Sequence, residues 1–401
     1  MASQKVIAVD LGTDTIKSVA LELVRGEIVP RVLGTGYAAS AGVRKGSIVD
    51  SEDLAAALKE SLDNLQKSTG IKAEKIFVGM GGQGLGFQKS KGLVAISRAD
   101  NEVSKEDVKR ALLASEANLQ RIQNRDILHK IPISYTIDNE VVTHDPVGLA
   151  GIKLESSTMF LTLFMQQLKS VMKALDDAGT EPEDVFAGPM ALSHAVLTKR
   201  EKEAGVMILD IGASTTSLII FEEGLPYSLE VLPIGGVNIT HDIAVGFQAS
   251  IEDAEKLKLG FGAVSSAALP AISKKKDLIF GNYSKKDLTQ IIEARLGDIF
   301  ELVEKHLKKM DRMGLLPAGV VIAGGGSKLP GIMDFAKDYL KLPAKPAELP
   351  NLGGYKEKVK DPEWYTALGV ALMALEINES LPPIFPGFAG AIFKWFKAFL
   401  P

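Results

Sequence analysis

The chain has no cysteine among its 401 residues, so neither a disulfide nor a thiolate metal site is available to it. It has no uncharged apolar run long enough to span a bilayer. Its net charge is small, −4 at pH 7, which gives no reason to expect a nucleic-acid partner. No signal peptide is read at the start, where Met1-Ala-Ser-Gln-Lys5 runs straight into an apolar strand pattern. These absences lead us to expect a cytosolic protein, unless its C-terminus attaches it to a membrane surface. What is present is ordinary for a globular chain: 46% hydrophobic and 24% charged residues, over a length that suffices for two or more domains.

The organising feature is a repeat. Val6, Asp10, Gly12, Thr15 and Glu22 recur without a gap as Val206, Asp210, Gly212, Thr215 and Glu222. Each copy reads as a buried strand, a turn rich in Gly, Ser and Thr, and a second β-rich run. A hairpin repeated at that distance predicts two similar domains facing each other. Gly12 and Gly212 let the backbone turn tightly and approach a ligand closely. Backbone N–H groups in such turns form an anion-binding concavity. Thr13, Thr15, Ser214, Thr215 and Thr216 add hydroxyls to it, and Lys17 adds a cation. Asp10 and Asp210 end their strands with carboxylates beside that anion, which is repulsive unless a cation intervenes. The pattern therefore predicts a nucleotide with Mg²⁺, held by Asp10 and Asp210 through water.

Residues 6–37 read as two or three strands of a first sheet. Asp50-Ser51-Glu52 starts a helix whose apolar face runs through Leu54, Leu58, Leu62 and Leu65. Ile76–Met80 reads as a buried strand, and Gly81-Gly82-Gln83-Gly84 as a lone glycine loop. No helix follows it, which argues against a dinucleotide fingerprint. Residues 85–163 change character. A helix capped near Ser104 runs through Leu112, Leu113 and Leu119. Short strand-like runs follow around Ile127–Ile131, Tyr135–Asp138 and Ile152–Leu154, punctuated by Asp145-Pro146-Val147-Gly148. This stretch reads as a small α+β insertion.

A helix over Gln166–Ala178, a strand before Gly188-Pro189 and a connecting helix over Met190–Leu197 lead to the second hairpin. Residues 243–315 are helix-rich, with one helix at Ile251–Leu259 and a long one at Lys285–Met313. Val320–Ala323 reads as a strand ending in the loop Gly324, Gly325, Gly326 and Ser327, which enters a helix with Pro330 early in it. Amides there can contact a phosphate or sugar, and the missing side chains leave room for a flat base.

Five elements thus stand in order: the Asp10–Lys17 turn, the helix after Gly188-Pro189, the Asp210–Ser217 turn, the Ala323–Gly331 loop, and a helix around Leu368–Leu372. This order resembles the actin-like ATPase superfamily over nearly the whole chain. Within it the sequence is most similar to the FtsA family of bacterial cell-division proteins, on four stretches. They are Asp126–His129 with Tyr135–Asp138 and Asp145–Gly151, then Ala195–Val206, then Pro233–Ala244 with Ala254–Lys258, and the amphipathic C-terminus.

The resemblance implies an α/β, actin-like ATPase fold: two duplicated sheet-and-helix domains around a nucleotide cleft that holds ATP (or ADP) and Mg²⁺. It implies subdomain IA over 1–84 and 164–204, and the inserted α+β subdomain IC over 85–163. Subdomain IIA falls over 205–242 and 316–380, and IIB over 243–315. A linker over 381–386 and an amphipathic membrane-targeting helix over 387–401 complete the division. Asp10, Gly12, Thr13, Thr15 and Lys17 match the first phosphate loop. Gly212, Ser214, Thr215 and Thr216 match the second, with Asp210 near the metal and Gly235 and Gly236 in the stretch that follows. Gly324, Gly325, Gly326 and Ser327 match the adenosine loop, and Glu255 and Lys258 the helix that touches ribose and base.

The resemblance also implies filaments of the chain with itself, other divisome proteins as partners, and a peripheral place on the cytoplasmic side of the cell membrane at the division site. It implies binding of the acidic C-terminal tail of FtsZ to the long helix of IIB, where Arg295 matches the family's basic position. At about 100° per residue, Phe388, Ile392, Trp395, Phe396 and Phe399 share one face, with Lys394 and Lys397 opposite and Phe393 among them. Such a helix lies in an anionic membrane interface, set off here by Pro382, Pro383 and Pro386.

One departure bears on chemistry. Relatives that hydrolyse ATP well carry Glu or Gln near the start of the connecting helix, to orient the attacking water. Here Gly188 precedes Pro189 and Met190 follows, and a general base must lie within hydrogen-bond reach of its proton. We therefore assign no catalytic group and expect at most slow ATP hydrolysis. Three other readings compete. A PilM-like membrane adaptor is disfavoured by the Asp145–Gly148 insertion and the aromatic tail. A small-molecule kinase lacks a carboxylate base with a supporting motif. A heat-shock chaperone needs a peptide-binding domain after the core.

Overall fold

A computed structural model describes residues 3–97, 99–119, 124–264, 278–279, 283–349, 352–354 and 357–377. The expected linker over 381–386 and the residues expected to meet a membrane, Phe388, Ile392, Phe393, Lys394, Trp395, Phe396, Lys397 and Phe399, lie outside the described residues. Two compact units emerge: Met1–Gln83 with Val171–Leu375, and Gly84–Ser170.

The larger unit opens with β1 (Ser3–Leu11), β2 (Thr15–Val24) and β3 (Arg31–Ala39), an antiparallel meander. A small hairpin of β4 (Val43–Arg44) and β5 (Ser47–Ile48) leads to α1 (Ser51–Thr69) and β6 (Lys75–Met80), which runs parallel to β1. The helix starts where the Asp50 carboxylate accepts the amides of Glu52 and Asp53 at 2.9 and 3.1 Å, and stops at Gly70 with φ +71°. Its buried face carries Leu54, Leu58, Leu62 and Leu65. It closes on the sheet at Gly36, where any Cβ would lie 2.0 Å from the Ser61 carbonyl oxygen.

The inserted unit contains β7 (Gly86–Ala95), α2 (Lys105–Ala117), β8 (Arg125–Ile137), β9 (Val141–Thr143) and β10 (Lys153–Phe164), in the sheet order β7-β10-β8-β9. This corrects the sequence reading, which had only short strand-like runs here and no strand at β7. The strands β8 and β10 are long and antiparallel, with a register shift at Pro132. A proline is tolerated in a ladder at such an irregularity because its missing N–H is not called on. Helix α2 begins with a reciprocal Ser104–Asp107 capping box and packs on β7 at Gly92.

After the insertion come α3 (Met165–Asp177), β11 (Glu181–Ala187), α4 (Gly188–Val196) and α5 (Lys199–Ala204). The second half follows with β12 (Val206–Ile211), β13 (Thr216–Glu222) and β14 (Leu225–Leu232). Then come α6 (Gly236–Phe247), α7 (Ile251–Phe261), the pair β15 (Leu278–Ile279) and β16 (Tyr283–Ser284), and α8 (Lys285–Lys309). The chain continues through β17 (Val320–Ala323), α9 (Ile332–Leu340), β18 (Ala344–Pro346), β19 (Gly353–Gly354) and α10 (Tyr365–Ile377). Pro330 stands before α9 and not within it. The helix starts after Gly331, whose φ of +87° and closeness to the Val264 carbonyl admit no side chain.

The sheets expose the duplication. One runs β3-β2-β1-β6-β11, with β19 on its β3 edge, and the other runs β14-β13-β12-β17-β18. Each is a three-stranded antiparallel meander continued by two parallel strands. The registers agree as well: Asp10 pairs with Lys17 and Leu11 with Ile16, while Asp210 pairs with Ser217 and Ile211 with Thr216. Helices α4 and α10 cross in contact, for a Cβ on Gly369 would lie 2.0 Å from the Ala191 carbonyl oxygen. Residues Ala367–Leu375 of α10 are buried all round, which explains why that helix is apolar on every face.

Candidate functional site

The two hairpin turns define the site. In the first, Gly12 closes on Thr15, whose carbonyl oxygen would sit 2.5 Å from any Cβ added there. In the second, the Gly212 amide donates to the Thr215 carbonyl at 2.9 Å. The same turn is tied forward: the Gly236 and Val237 amides donate to the Gly212 and Ala213 carbonyls at 2.9 and 2.8 Å. Gly235 lies so close to the Gly212 and Ala213 carbonyls that any side chain would collide with them.

Asp10 and Asp210 end β1 and β12 at equivalent positions. Burial pushes the Asp10 carboxyl up to about 6, against the lowering effect of Lys17. Burial pushes Asp210 to about 7, with the charge of Asp10 adding to the rise and Lys17 opposing it. Each acid feels the same ammonium, and Asp210 feels Asp10, so the two turns meet at one place. Lys17 is itself buried; it donates to the Thr15 hydroxyl and stands 6.0 Å from the centre of the Tyr37 ring. A site with two raised carboxyls and one buried ammonium is short of positive charge.

Other predicted residues gather around this centre in different ways. Gly324 follows β17 with φ +76°, and a Cβ there would lie 2.3 Å from Asp210 Oδ1. Gly325, Gly326 and Ser327 continue it as a short 3-10 turn, with the Ser327 hydroxyl donating to the Gly324 carbonyl at 2.7 Å. Glu255 and Lys258 pair at 2.7 Å on α7, and both reach the Thr240 hydroxyl of α6; Lys258 also reaches the Gly236 carbonyl at 3.3 Å. Ser214 and Thr215 are partly open on the second turn. Thr216 is buried, and its hydroxyl is committed to the Ile234 carbonyl at 2.8 Å. It holds the turn after β14 in place.

Arg295 stands apart on α8. It forms a two-pronged ion pair with Asp242 of α6, one prong at 2.8 Å, and reaches Asp298 at 3.0 Å. Those hydrogen bonds to Asp242 hold its guanidinium charge even more firmly than usual.

Several neighbours escaped the sequence reading. The Gly46 amide donates to Thr13 Oγ1 at 3.2 Å, and a Cβ on Gly46 would lie 2.3 Å from the Gly82 Cα and 3.5 Å from the Thr215 methyl. The glycine loop set aside after β6 therefore packs backbone to backbone against a loop that touches both turns. Glu363 places Oε2 3.8 Å from Lys17, and its other oxygen lies 2.8 Å from Lys328. Gly46 and Gly82 both take positive φ, +69° and +94°, but nothing in the sequence pairs them, and Glu363, far along the chain, left no signal either.

Among the described residues no group of three or more metal-ligating side chains forms, and no helix is long and apolar enough to cross a membrane. A cation at this centre would be held by two carboxylates and water.

The fold can now be matched to known ones. The solved PilM-PilN type IV pilus biogenesis complex is similar at TM-score 0.66 and 19% identity, over 92% of this chain and 97% of that one. MreB5 of Spiroplasma citri bound to ADP is similar at TM-score 0.54 and 13% identity, over 93% and 97%. Two duplicated meander sheets with glycine turns opposed at one acidic centre are thus an actin-like ATPase fold. The family model "Cell division protein FtsA" matches residues 207–369, and "SHS2 domain inserted in FTSA" matches residues 82–162. The cell division protein FtsA of Bacillus subtilis (strain 168) is 32% identical over 375 residues, covering 92% of this chain and 83% of the relative. That of Borreliella burgdorferi is 30% identical over 380 residues, covering 93% and 91%. The chain belongs to the FtsA family of cell division proteins.

Proposed function

We propose that the chain binds ATP (or ADP) with Mg²⁺ between its two hairpin turns, assembles into filaments on the cytoplasmic face of the cell membrane, and tethers FtsZ there. The observation that carries the nucleotide reading is the pair Asp10 and Asp210, raised to about 6 and 7 in a centre with one buried ammonium. Such a centre favours a divalent cation, and its glycines leave the backbone open to a polyphosphate. The Gly324 cradle supports the same reading, because a side chain there would strike Asp210. MreB5 of Spiroplasma citri, of the same fold, was solved with ADP.

In this reading Asp10 and Asp210 hold Mg²⁺ through water. Gly12, Thr13, Thr15 and Lys17 face one side of the phosphates, and Gly212, Ser214 and Thr215 the other. Gly235 and Gly236 back the second turn, and Thr216 fixes it from behind. Gly324, Gly325, Gly326 and Ser327 line the adenosine with Glu255 and Lys258. Bound Mg²⁺ supplies charge neutralisation to the phosphates. The first turn of α4 carries no acidic residue, and Gly188, Pro189 and Met190 stand where hydrolysing relatives have Glu or Gln, so in this reading turnover is slow and the nucleotide acts on polymer state. Titration calorimetry of Mg·ATP and Mg·ADP on the full chain tests this. No heat at millimolar nucleotide would refute it.

The membrane and FtsZ roles rest on the sequence of the tail and on family membership. The decisive experiment is co-sedimentation with anionic liposomes in the presence of ATP, comparing the full chain with one cut after Pro383. Pelleting of the full chain alone, with filaments on the lipid, supports the tether; equal pelleting of both refutes the tail as anchor. Arg295 is engaged by Asp242 and Asp298, so an acidic FtsZ tail must compete with them. Arg295→Glu should abolish tail-peptide binding, while Asp298→Ala should strengthen it by freeing one edge of the guanidinium. Unchanged affinity in Arg295→Glu removes Arg295 from that interface.

A further inference from the structure

Glu363 belongs to neither hairpin. It lies in the short turn Pro362–Trp364 ahead of α10, where Asp361 accepts its backbone amide at 3.1 Å. One carboxylate oxygen is 3.8 Å from the Lys17 ammonium, and the other is 2.8 Å from Lys328. Lys328 also holds Asp361 at 2.9 Å. The three groups differ in freedom: the Lys17 side chain is 7% exposed, whereas Glu363 is 37% and Lys328 44% exposed. Glu363 also lies against the glycine loop, 3.5 Å from where a Cβ on Gly325 would be.

We propose that Glu363 is the resident counter-anion of Lys17, a built-in competitor for the phosphates, and that Lys328 sets the strength of that competition by holding the carboxylate back. The proposal rests on the nucleotide reading above and adds its regulation. The buried ammonium is shared among Asp10, Asp210 and Glu363. Asp10 and Asp210 are fixed at strand ends, but Glu363 is on a side chain with a second partner. Its contact with Lys17 is longer than a hydrogen bond, while its contact with Lys328 is a short ion pair. The carboxylate can therefore yield Lys17 to an incoming anion without losing its better bond. Until it yields, it lowers the attraction that Lys17 exerts on phosphate.

The prediction has a sign that a merely structural role does not share. In calorimetry of Mg·ADP on the full chain, Glu363→Gln should bind roughly fivefold tighter than the parent, since a half-exposed ion pair is worth about that factor. Lys328→Met should bind weaker by a similar factor, because the released carboxylate then turns fully to Lys17. The double variant should match Glu363→Gln, as the carboxylate that competes for Lys17 is then gone and Lys328 is left with Asp361 alone. Ligand-free melting temperatures establish that each variant is folded. Weaker or unchanged binding in Glu363→Gln overturns the competitor. A Lys328→Met loss that persists in the Glu363→Gln background overturns the restraint, because Lys328 then meets the nucleotide itself. If the parent binds no nucleotide at all, the nucleotide reading fails, and inorganic pyrophosphate decides the rest. Binding by Glu363→Gln where the parent has none upholds the competitor, and no binding by either overturns it.

Discussion

Between about pH 4 and pH 7 the folded chain keeps protons on Asp10 and Asp210 that the unfolded chain has already lost. Stability falls wherever the native state binds more protons, so the ligand-free protein should weaken as pH rises through this window. Asp210→Asn removes most of that slope. Denaturant unfolding from pH 4 to 8 should show the variant equal to the parent near pH 4 and more stable at pH 7.5, by on the order of 4 kcal/mol. Its Mg²⁺-dependent nucleotide binding should be lost at the same time. Asp107 behaves in the opposite way. Burial alone would raise it, but hydrogen bonds from Ser104, Ser97 and Arg110 hold its carboxyl well below the usual range. Its stabilisation is present above about pH 4 and is lost as pH falls. Asp107→Asn should cost the insertion about 2 kcal/mol at neutral pH, read by faster hydrogen exchange in α2, and less as the solution is acidified.

Elements were legible where the signal was local. The Leu54–Leu65 spacing and the Asp50 cap specify α1 within a single stretch of chain, and the structure has both. The strands of the insertion were legible only in pieces: the runs at Ile127–Ile131 and Tyr135–Asp138 fall on β8 and that at Ile152–Leu154 on the start of β10, while β7 went unread. Pro132 interrupts the pattern of β8, and Lys89, Lys91 and Gly92 interrupt that of β7. Both are strands because β10 supplies a long ladder between them, and tertiary pairing overrides weak local preference. The site divides the same way. Its two turns were readable as motifs, whereas Gly46 against Gly82 and Glu363 against Lys17 are contacts across the fold that no spacing announces. The α4–α10 crossing gives a sharp test at this scale. Gly369→Val places a branched side chain where even a Cβ is 2.0 Å from the Ala191 backbone. It should cost about 3 kcal/mol or more, seen as a lowered urea midpoint or as insoluble expression. Gly297→Ala, with open space around its Cβ, is the control and should stabilise slightly.

At the scale of the molecule, the larger unit contains two meander sheets that meet at one centre, and the insertion has a core of its own around Val108, Tyr135 and Leu154. A ligand between the turns stabilises what it touches by mass action. At a hundred times its dissociation constant, Mg·ADP should add about 2.7 kcal/mol to the unit that holds the turns. In differential scanning calorimetry that unit should melt several degrees higher, while exchange protection in α2 of the insertion stays as it was. Equal protection of both units would tie the insertion to the site. The duplication has one more consequence. The backbones of the two turns are near copies, yet Lys17 faces Asp10 where Ser217 faces Asp210. A symmetric cradle would accept a linear guest in either direction. With its one buried ammonium off centre, this cradle has a head and a tail, and the guest inherits a direction from it.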